Sequence, residues 1–371
     1  MSEAPAISAK AANPIVTLCF EDGVERRIES APDEFVLDAA LRQGVPLVYQ
    51  CRSGSCSTCI AQLVAGDIAM APNRPTSLLA AESAEGKRLL CSSRAIRDSV
   101  VRLHYPAALI EGTERRLLTG RVSALEWASP SVAKLTLEIS DQENFSFRCG
   151  QYVRIRTPGA AEWRSYSMAS TPRELPRMHF LVRIIGGGLV SEYLRTACRV
   201  GDQVELEGPM GAFILHPADA PHIFIAGGTG LAPILAMLDE LRYWPGRRPR
   251  MLLSFGCASE EQFFYREEVE LRQWWMPELR VILSADRVDQ ASSALMRGTP
   301  VGALDGERID DPETRAYLCG PPPMIEAARR RLLELGVKSE HIYAEQFVAS
   351  SLENPIATAA GARSAGGLRD G

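Results

Sequence analysis

Cys51, Cys56, Cys59 and Cys91 follow the spacing C-x4-C-x2-C, then one more cysteine after a gap of 31 residues. Three thiols within nine residues force the chain between them into a tight loop, and no other feature constrains the fold as much. The loop reads Cys51-Arg52-Ser53-Gly54-Ser55-Cys56-Ser57-Thr58-Cys59, with almost nothing to bury. Such a segment suits wrapping an inorganic core, its backbone N–H groups turned toward the sulfurs and Gly54 taking angles that other residues resist. The spacing is that of four thiolates ligating the two irons of a 2Fe-2S cluster, which moves electrons singly. Zinc and disulfides are the alternatives. Zinc usually draws its four thiolates from two paired knuckles, whereas Cys91 stands alone.

The five other cysteines, Cys19, Cys149, Cys198, Cys257 and Cys319, show no disulfide-framework spacing. With 41 basic and 46 acidic residues, neither sign dominates, and there is no footprint for nucleic acid or an anionic membrane surface. Met1 to Asn13 lacks the pattern of a signal peptide, and no 18-residue apolar run follows. A soluble, cytoplasmic monomer is expected, with residues 1–13 disordered.

Three blocks fill the 371 residues. The first, residues 14–105, opens with a hairpin (Ile15 to Phe20, the turn Glu21-Asp22-Gly23, Val24 to Ile28). A helical pattern follows at Val36, Leu37, Ala40 and Leu41, with Gly44 placed to stop it, before the cysteine loop and a final strand ending near Leu103. Residues 106–116 read as a linker. The second block, 117–217, has short strands at Leu117 to Val122, Ala133 to Ile139, Tyr152 to Arg156, His179 to Ile184 and Gln203 to Glu207, which suggests an antiparallel barrel. In the third, 218–348, strands at His222 to Ala226, Met251 to Phe255, Arg280 to Leu283 and Arg315 to Leu318 alternate with helices at Ala232 to Tyr243, Arg266 to Trp275 and Pro323 to Leu335. That alternation predicts a parallel sheet flanked by helices. Its first strand runs into Gly227-Gly228-Thr229-Gly230-Leu231-Ala232-Pro233, where glycines allow close approach of a pyrophosphate to a helix N-terminus. Pro233 replaces the last glycine of the full dinucleotide motif, so this turn alone is a weak signal.

The order of hairpin, helix and cysteine loop resembles the β-grasp (α+β) fold of plant-type ferredoxins. In the second block Arg164-Ser165-Tyr166-Ser167 matches the R-x-Y-S flavin motif of the ferredoxin-NADP reductase superfamily. Gly188-Leu189-Val190-Ser191 matches its flavin-phosphate motif, and Gly208-Pro209-Met210-Gly211 its barrel-closing turn. Gly228 to Pro233 and Cys319-Gly320-Pro321-Pro322 match its nicotinamide-domain motifs. The whole, over roughly residues 14–347, resembles the reductase component of bacterial multicomponent oxygenases, particularly those serving aromatic ring-hydroxylating dioxygenases. The resemblance implies a multidomain chain: a ferredoxin domain, an antiparallel Greek-key β-barrel for FAD, and a Rossmann-like α/β domain for NAD.

It also implies roles. Arg164 pairs with a flavin phosphate, Tyr166 lies against the isoalloxazine, Ser167 hydrogen-bonds near flavin N5, and backbone N–H groups of Gly188, Leu189, Val190 and Ser191 hold the pyrophosphate. Gly228, Thr229, Gly230, Pro233, Gly320 and Pro321 contact the dinucleotide. Cys319 sits beside the nicotinamide, although a lone cysteine ending an apolar strand is more often core. Glu345 and Phe347 match the family's terminal acid and aromatic, and the aromatic covers the flavin face that nicotinamide must reach. Ser167, Cys319 and Glu345 are the expected catalytic residues.

The segment Gly256-Cys257-Ala258-Ser259-Glu260-Glu261 carries no arginine or lysine to receive a 2'-phosphate, which points to NADH. Arg247, Arg248 and Arg250 precede that strand and read as a solvated face. NADH gives up two electrons as a hydride, the cluster takes one at a time, and flavin converts between the two regimes. The expected recipient is the terminal oxygenase or its ferredoxin, met near Arg52. A di-iron monooxygenase or a deoxysugar-forming dehydratase shares every motif. Two departures from the family stand out. Residues 1–105 hold 12 acidic and 11 basic side chains, unlike strongly acidic free ferredoxins, and 24 residues follow Phe347, of which 349–371 read as a disordered tail. Removing the residues after Ser350 is expected to leave NADH oxidation unchanged.

Overall fold

The computed structural model describes residues 12–110, 116–216, 218–288 and 294–347. The stretches 1–13 and 349–371 expected to be disordered fall almost wholly outside these, as do residues 111–115 of the linker 106–116.

The first sheet has five strands, β1 (Ile15–Cys19), β2 (Glu25–Glu29), β3 (Ile60–Met70), β4 (Lys87–Leu89) and β5 (Ser93–Arg102), in the order β2-β1-β5-β3-β4. Helix α1 (Val36–Arg42) lays Val36, Leu37, Ala39 and Ala40 into the core, and Gly44 follows at φ +73°. A short helix α2 (Ala80–Ala84) precedes β4. Strand β1 alternates buried and exposed side chains, as a half-covered strand should. Strand β3 was not anticipated. Its register against β5 shifts three times between Leu63 and Ile68, and such bulges erase the period-two pattern by which a strand is read.

The second sheet comprises β6 (Arg116–Ser129), β7 (Val132–Ile139), β8 (Tyr152–Arg156), β9 (Arg164–Ser167), β10 (Arg177–Arg183) and β11 (Gln203–Met210) in the order β10-β7-β6-β11-β8-β9. All its pairings are antiparallel, and a bridge between Met168 and Phe180 brings the two ends together, so the sheet nearly closes. Helix α3 (Leu189–Thr196) leaves β10 through the glycine run, so Gly188 to Ser191 is the cap and first turn of a helix rather than an isolated turn.

The third sheet is wholly parallel, ordered β15-β14-β13-β12-β16-β17: β12 (His222–Gly227), β13 (Met251–Ser259), β14 (Leu279–Arg287), β15 (Met296–Arg297), β16 (Arg315–Gly320) and β17 (Ile342–Gln346). Helices α4 (Leu231–Arg242), α5 (Arg266–Trp275) and α6 (Pro322–Glu334) connect them. Strand β12 is buried along nearly its whole length, as a central parallel strand covered on both faces must be. Strand β13 runs four residues beyond its expected end at Phe255. Gly256, Cys257 and Ser259 keep register with Ser284, Ala285 and Arg287 of β14, so the segment assigned to follow the strand is largely part of it.

The three units are packed together. Ala212 and Ile214, between barrel and parallel sheet, join the core of the first unit. His216 hydrogen-bonds Glu21 at 3.1 Å, stacks on Tyr343 with ring centroids 4.3 Å apart, and its backbone N–H donates to the Tyr317 hydroxyl at 3.0 Å.

Candidate active site and cluster loop

A cavity of about 650 Å³ opens between the barrel and the C-terminal ends of the parallel strands. Ligands of open parallel sheets bind at those strand ends. The barrel wall supplies Arg164, Tyr166 and Ser167 of β9, Arg183 of β10, and Gly188, Leu189, Val190 and Ser191 at the start of α3. The opposite wall supplies Gly227, Gly228 and Thr229 ahead of α4, Ala258 and Gln262 around the end of β13, Asp286 of β14, and Pro321, Glu345 and Phe347. Arg164, Arg183, Asp286 and Glu345 are the charged residues of its lining.

Arg164 is held by Glu162 at 2.5 Å and by the Trp163 carbonyl at 2.9 Å, so its guanidinium already lies along the barrel mouth. The Ser191 hydroxyl accepts from the Ile185 N–H at 3.1 Å and donates to the Arg183 carbonyl at 3.3 Å, fixing the glycine run at the head of α3. Gly188 N–H is taken by the Ile185 carbonyl at 3.3 Å, and the N–H groups of Leu189, Val190 and Ser191 in the first turn of α3, with Arg164 and Arg183 nearby, suit a pyrophosphate. Arg183 did not stand out in the sequence, though a basic residue five positions before Gly188 was the available signal. The Tyr166 phenol is kept protonated well above its ordinary range by burial.

Ser167 and Glu345 meet across the two units: the hydroxyl donates to the carboxyl at 3.1 Å. Burial pushes the Glu345 pKa up to about 8, against the opposing pull of that hydrogen bond. Glu345 is the register partner of Cys319 across β16 and β17, so the two side chains share a face. They do not share a fate. Cys319 is fully enclosed in the core beside α4 and is not among the residues that line the cavity. Its thiol is driven well above its usual pKa by that burial, with the neighbouring Glu345 adding to the effect. Its carbonyl underlies Gly230, where an added Cβ would lie 2.2 Å from the oxygen, so Gly230 lets the helix start approach β16. Gly230 and Pro233 at the start of α4 and Gly320 at the end of β16 are likewise not among the lining residues, whereas Phe347 lines the cavity and donates its N–H to the Gly320 carbonyl at 2.9 Å.

The cysteine loop abuts this cavity. Gln50, the residue before Cys51, is part of the cavity wall and accepts from the Thr58 hydroxyl at 3.5 Å. Arg52, Gly54 and Ser57 all adopt positive φ, which curls the loop inward. At Gly54 (φ +90°) a Cβ would lie 2.2 Å from the Pro75 carbonyl. Ser53 N–H points at Cys51 Sγ (3.4 Å) and Cys91 N–H at Cys59 Sγ (3.5 Å), the donor pattern that steadies ligating thiolates. Hydrogen bonds from Cys56 and then Cys91 hold the Cys51 thiol far below its ordinary pKa, and one from Cys91 lowers Cys59. Cys51 thus neighbours Cys56 and Cys91, and Cys59 neighbours Cys91. A two-iron cluster takes two thiolates at each iron, and three thiols on one inward-curled loop with Cys91 beside them supply that number. The donor set fits a 2Fe-2S cluster.

Comparison with known proteins agrees. Residues 19–95 match the 2Fe-2S iron-sulfur cluster binding domain, 119–214 the oxidoreductase FAD-binding domain, and 224–330 the oxidoreductase NAD-binding domain. The chain is 32% identical to the anthranilate 1,2-dioxygenase electron transfer component of Acinetobacter baylyi, over 91% of this chain and 98% of that one. It belongs to the oxygenase reductase family. The propane 2-monooxygenase reductase component of Rhodococcus jostii is also 32% identical, over 89% and 91% of the two chains. Among solved structures, the cytochrome P450 reductase of Amycolatopsis superposes with a TM-score of 0.62 at 27% identity, covering 90% of this chain and 98% of that one. Like its relatives, this reductase is an oxidoreductase with 2Fe-2S, FAD and NADH as cofactors. No helix among its described residues is long and apolar enough to cross a membrane.

Proposed function

We propose that this reductase takes hydride from NADH in the cavity between barrel and parallel sheet and delivers single electrons through Cys51, Cys56, Cys59 and Cys91 to the terminal oxygenase, or its ferredoxin, of an aromatic ring-hydroxylating dioxygenase system. One NADH is balanced by two one-electron deliveries, with NAD+ and one proton as the other products. FAD, when bound, supplies the conversion between two-electron and one-electron chemistry. The protein's residues do the rest. Arg164, Arg183 and the first turn of α3 bind the flavin's phosphates, while Gly228 and Thr229 ahead of α4 receive the dinucleotide. Phe347 screens the reacting face until nicotinamide displaces it. Ser167 and Glu345 hold a proton beside that face. Cys319 supports Glu345 from behind.

The observation that carries this reading is Gln50, which belongs to the cavity wall and adjoins the first cluster ligand. Electrons then need no large domain movement to pass from cavity to loop. The domain bounds 14–105, 117–217 and 218–348, a cytoplasmic monomer, and docking of the partner at Arg52, whose side chain is half exposed and paired with Asp38, belong to the same proposal. Anaerobic titration with NADH tests it by counting electrons into each cofactor. A cluster that stays oxidised while the flavin bleaches refutes it.

A second reading has specific support, because the propane monooxygenase reductase is as similar in sequence as the dioxygenase component. Reconstitution with purified terminal components of both kinds decides between them.

A further inference from the structure

Arg329, on α6 of the NAD-binding unit, reaches into the ferredoxin unit. Its side chain is 2% exposed and pairs with Glu82 Oε2 at 3.1 Å, itself 1% exposed. Its Nη1 also donates to the Ser77 carbonyl at 3.4 Å. Ser77 is bonded twice to the cluster loop: its N–H donates to the Gly54 carbonyl at 2.9 Å, and its hydroxyl accepts from Ser57 at 2.7 Å. Gly54 and Ser57 are the residues that curl the chain between Cys51, Cys56 and Cys59. Glu82 also accepts at Oε1 from Lys87, 3.1 Å away, and Lys87 donates to the Ser339 carbonyl at 2.7 Å, three residues before β17, the strand that bears Glu345.

A wholly buried charge cluster is weak evidence of added stability, since apolar replacements are often as stable. What this one does supply is geometry. It ties the loop around the cluster to the helix and strand that form the far wall of the flavin cavity. We infer that Arg329 is a positioning residue for internal electron transfer, fixing the cluster loop against the cavity through Glu82 and Ser77. The inference rests on the reading that Cys51, Cys56, Cys59 and Cys91 bind the cluster. Transfer between two fixed centres falls steeply with separation, and small displacements far from the chemistry can be costly.

Arg329→Met tests the role in the full chain, because it leaves Glu82 and Lys87 as a balanced pair. The variant should keep wild-type iron and flavin content and reduce its flavin with NADH at the wild-type rate. Cluster reduction in a single turnover should slow by about tenfold, and the EPR line shape of the reduced cluster should change. Should Arg329→Met fail to fold or lose iron, Arg329→Lys takes its place. One atom, Arg329 Nη1, meets both Glu82 and Ser77, and the ammonium of the shorter lysine side chain falls short of that point. The charge stays near Glu82 while the longer Ser77 contact is lost, so slowed cluster reduction with normal iron is again expected. Wild-type cluster reduction and wild-type EPR in the variant that folds overturn the inference. A wild-type chain that assembles no iron-sulfur cluster would instead overturn the underlying assignment.

Discussion

The Ser167 hydroxyl donates to the buried carboxyl of Glu345 at 3.1 Å, joining β9 of the barrel wall to β17, the last strand of the parallel sheet. Because burial holds the Glu345 pKa near 8, the group is mainly protonated at neutral pH in the folded protein and ionised in the unfolded chain. The unfolded state therefore binds fewer protons between the ordinary carboxylate range and about pH 8, and stability falls as pH rises through that window. Glu345→Gln removes the slope. Denaturant midpoints measured from pH 5 to pH 8.5 should show the variant gaining on the wild type by up to a few kcal/mol, and parallel curves would show that the carboxyl is not so buried.

Arg164→Ala should release flavin. A charge-assisted hydrogen bond is worth about 1.5–3 kcal/mol, which corresponds to a loss of affinity of roughly 10- to 100-fold. Arg164→Lys should recover part of this, since an ammonium keeps the charge without the planar fork. Flavin fluorescence titration of the apoprotein checks both.

Gly54→Ala should strip the cluster and spare the flavin. At φ +90° a side chain is strained by about 1 kcal/mol or more, and the added carbon would sit 2.2 Å from the Pro75 carbonyl, so the loop must open. Iron per chain should fall while NADH still bleaches the flavin. Full iron occupancy would contradict the tight loop.

What the sequence disclosed was local chemistry. The C-x4-C-x2-C run from Cys51 to Cys59, the R-x-Y-S strand at Arg164 and the glycine turn before α4 each lie within a dozen residues, and each required only one loop or one turn to be read. Juxtapositions were hidden. Gln50 joins the cavity only because the ferredoxin unit packs against the barrel, and Arg329 meets Ser77 across 252 positions of chain. The place of Cys319 depended on how far its side chain reaches from a shared strand face, and Glu345 took the cavity instead. Strand β3 escaped because its bulges break alternation.

Nucleotide preference should respond to Asp286 more than to Glu260 and Glu261. Those two acids close the segment that lacks a basic residue, but β13 continues to Ser259 and they do not line the cavity, whereas Gln262 and Asp286 do. A dinucleotide laid across the ends of β13 and β14 brings its adenosine ribose toward a carboxylate, which tolerates two hydroxyls and repels a 2'-phosphate. Asp286→Asn should therefore raise kcat/KM for NADPH while leaving that for NADH nearly unchanged. Asp286→Arg should go further, lowering the NADH-to-NADPH ratio by about tenfold or more as repulsion becomes attraction. Steady-state kinetics with both nucleotides measure the ratio directly. If neither substitution moves it, the adenosine ribose lies elsewhere along the strand ends, and Gln262 becomes the residue to change.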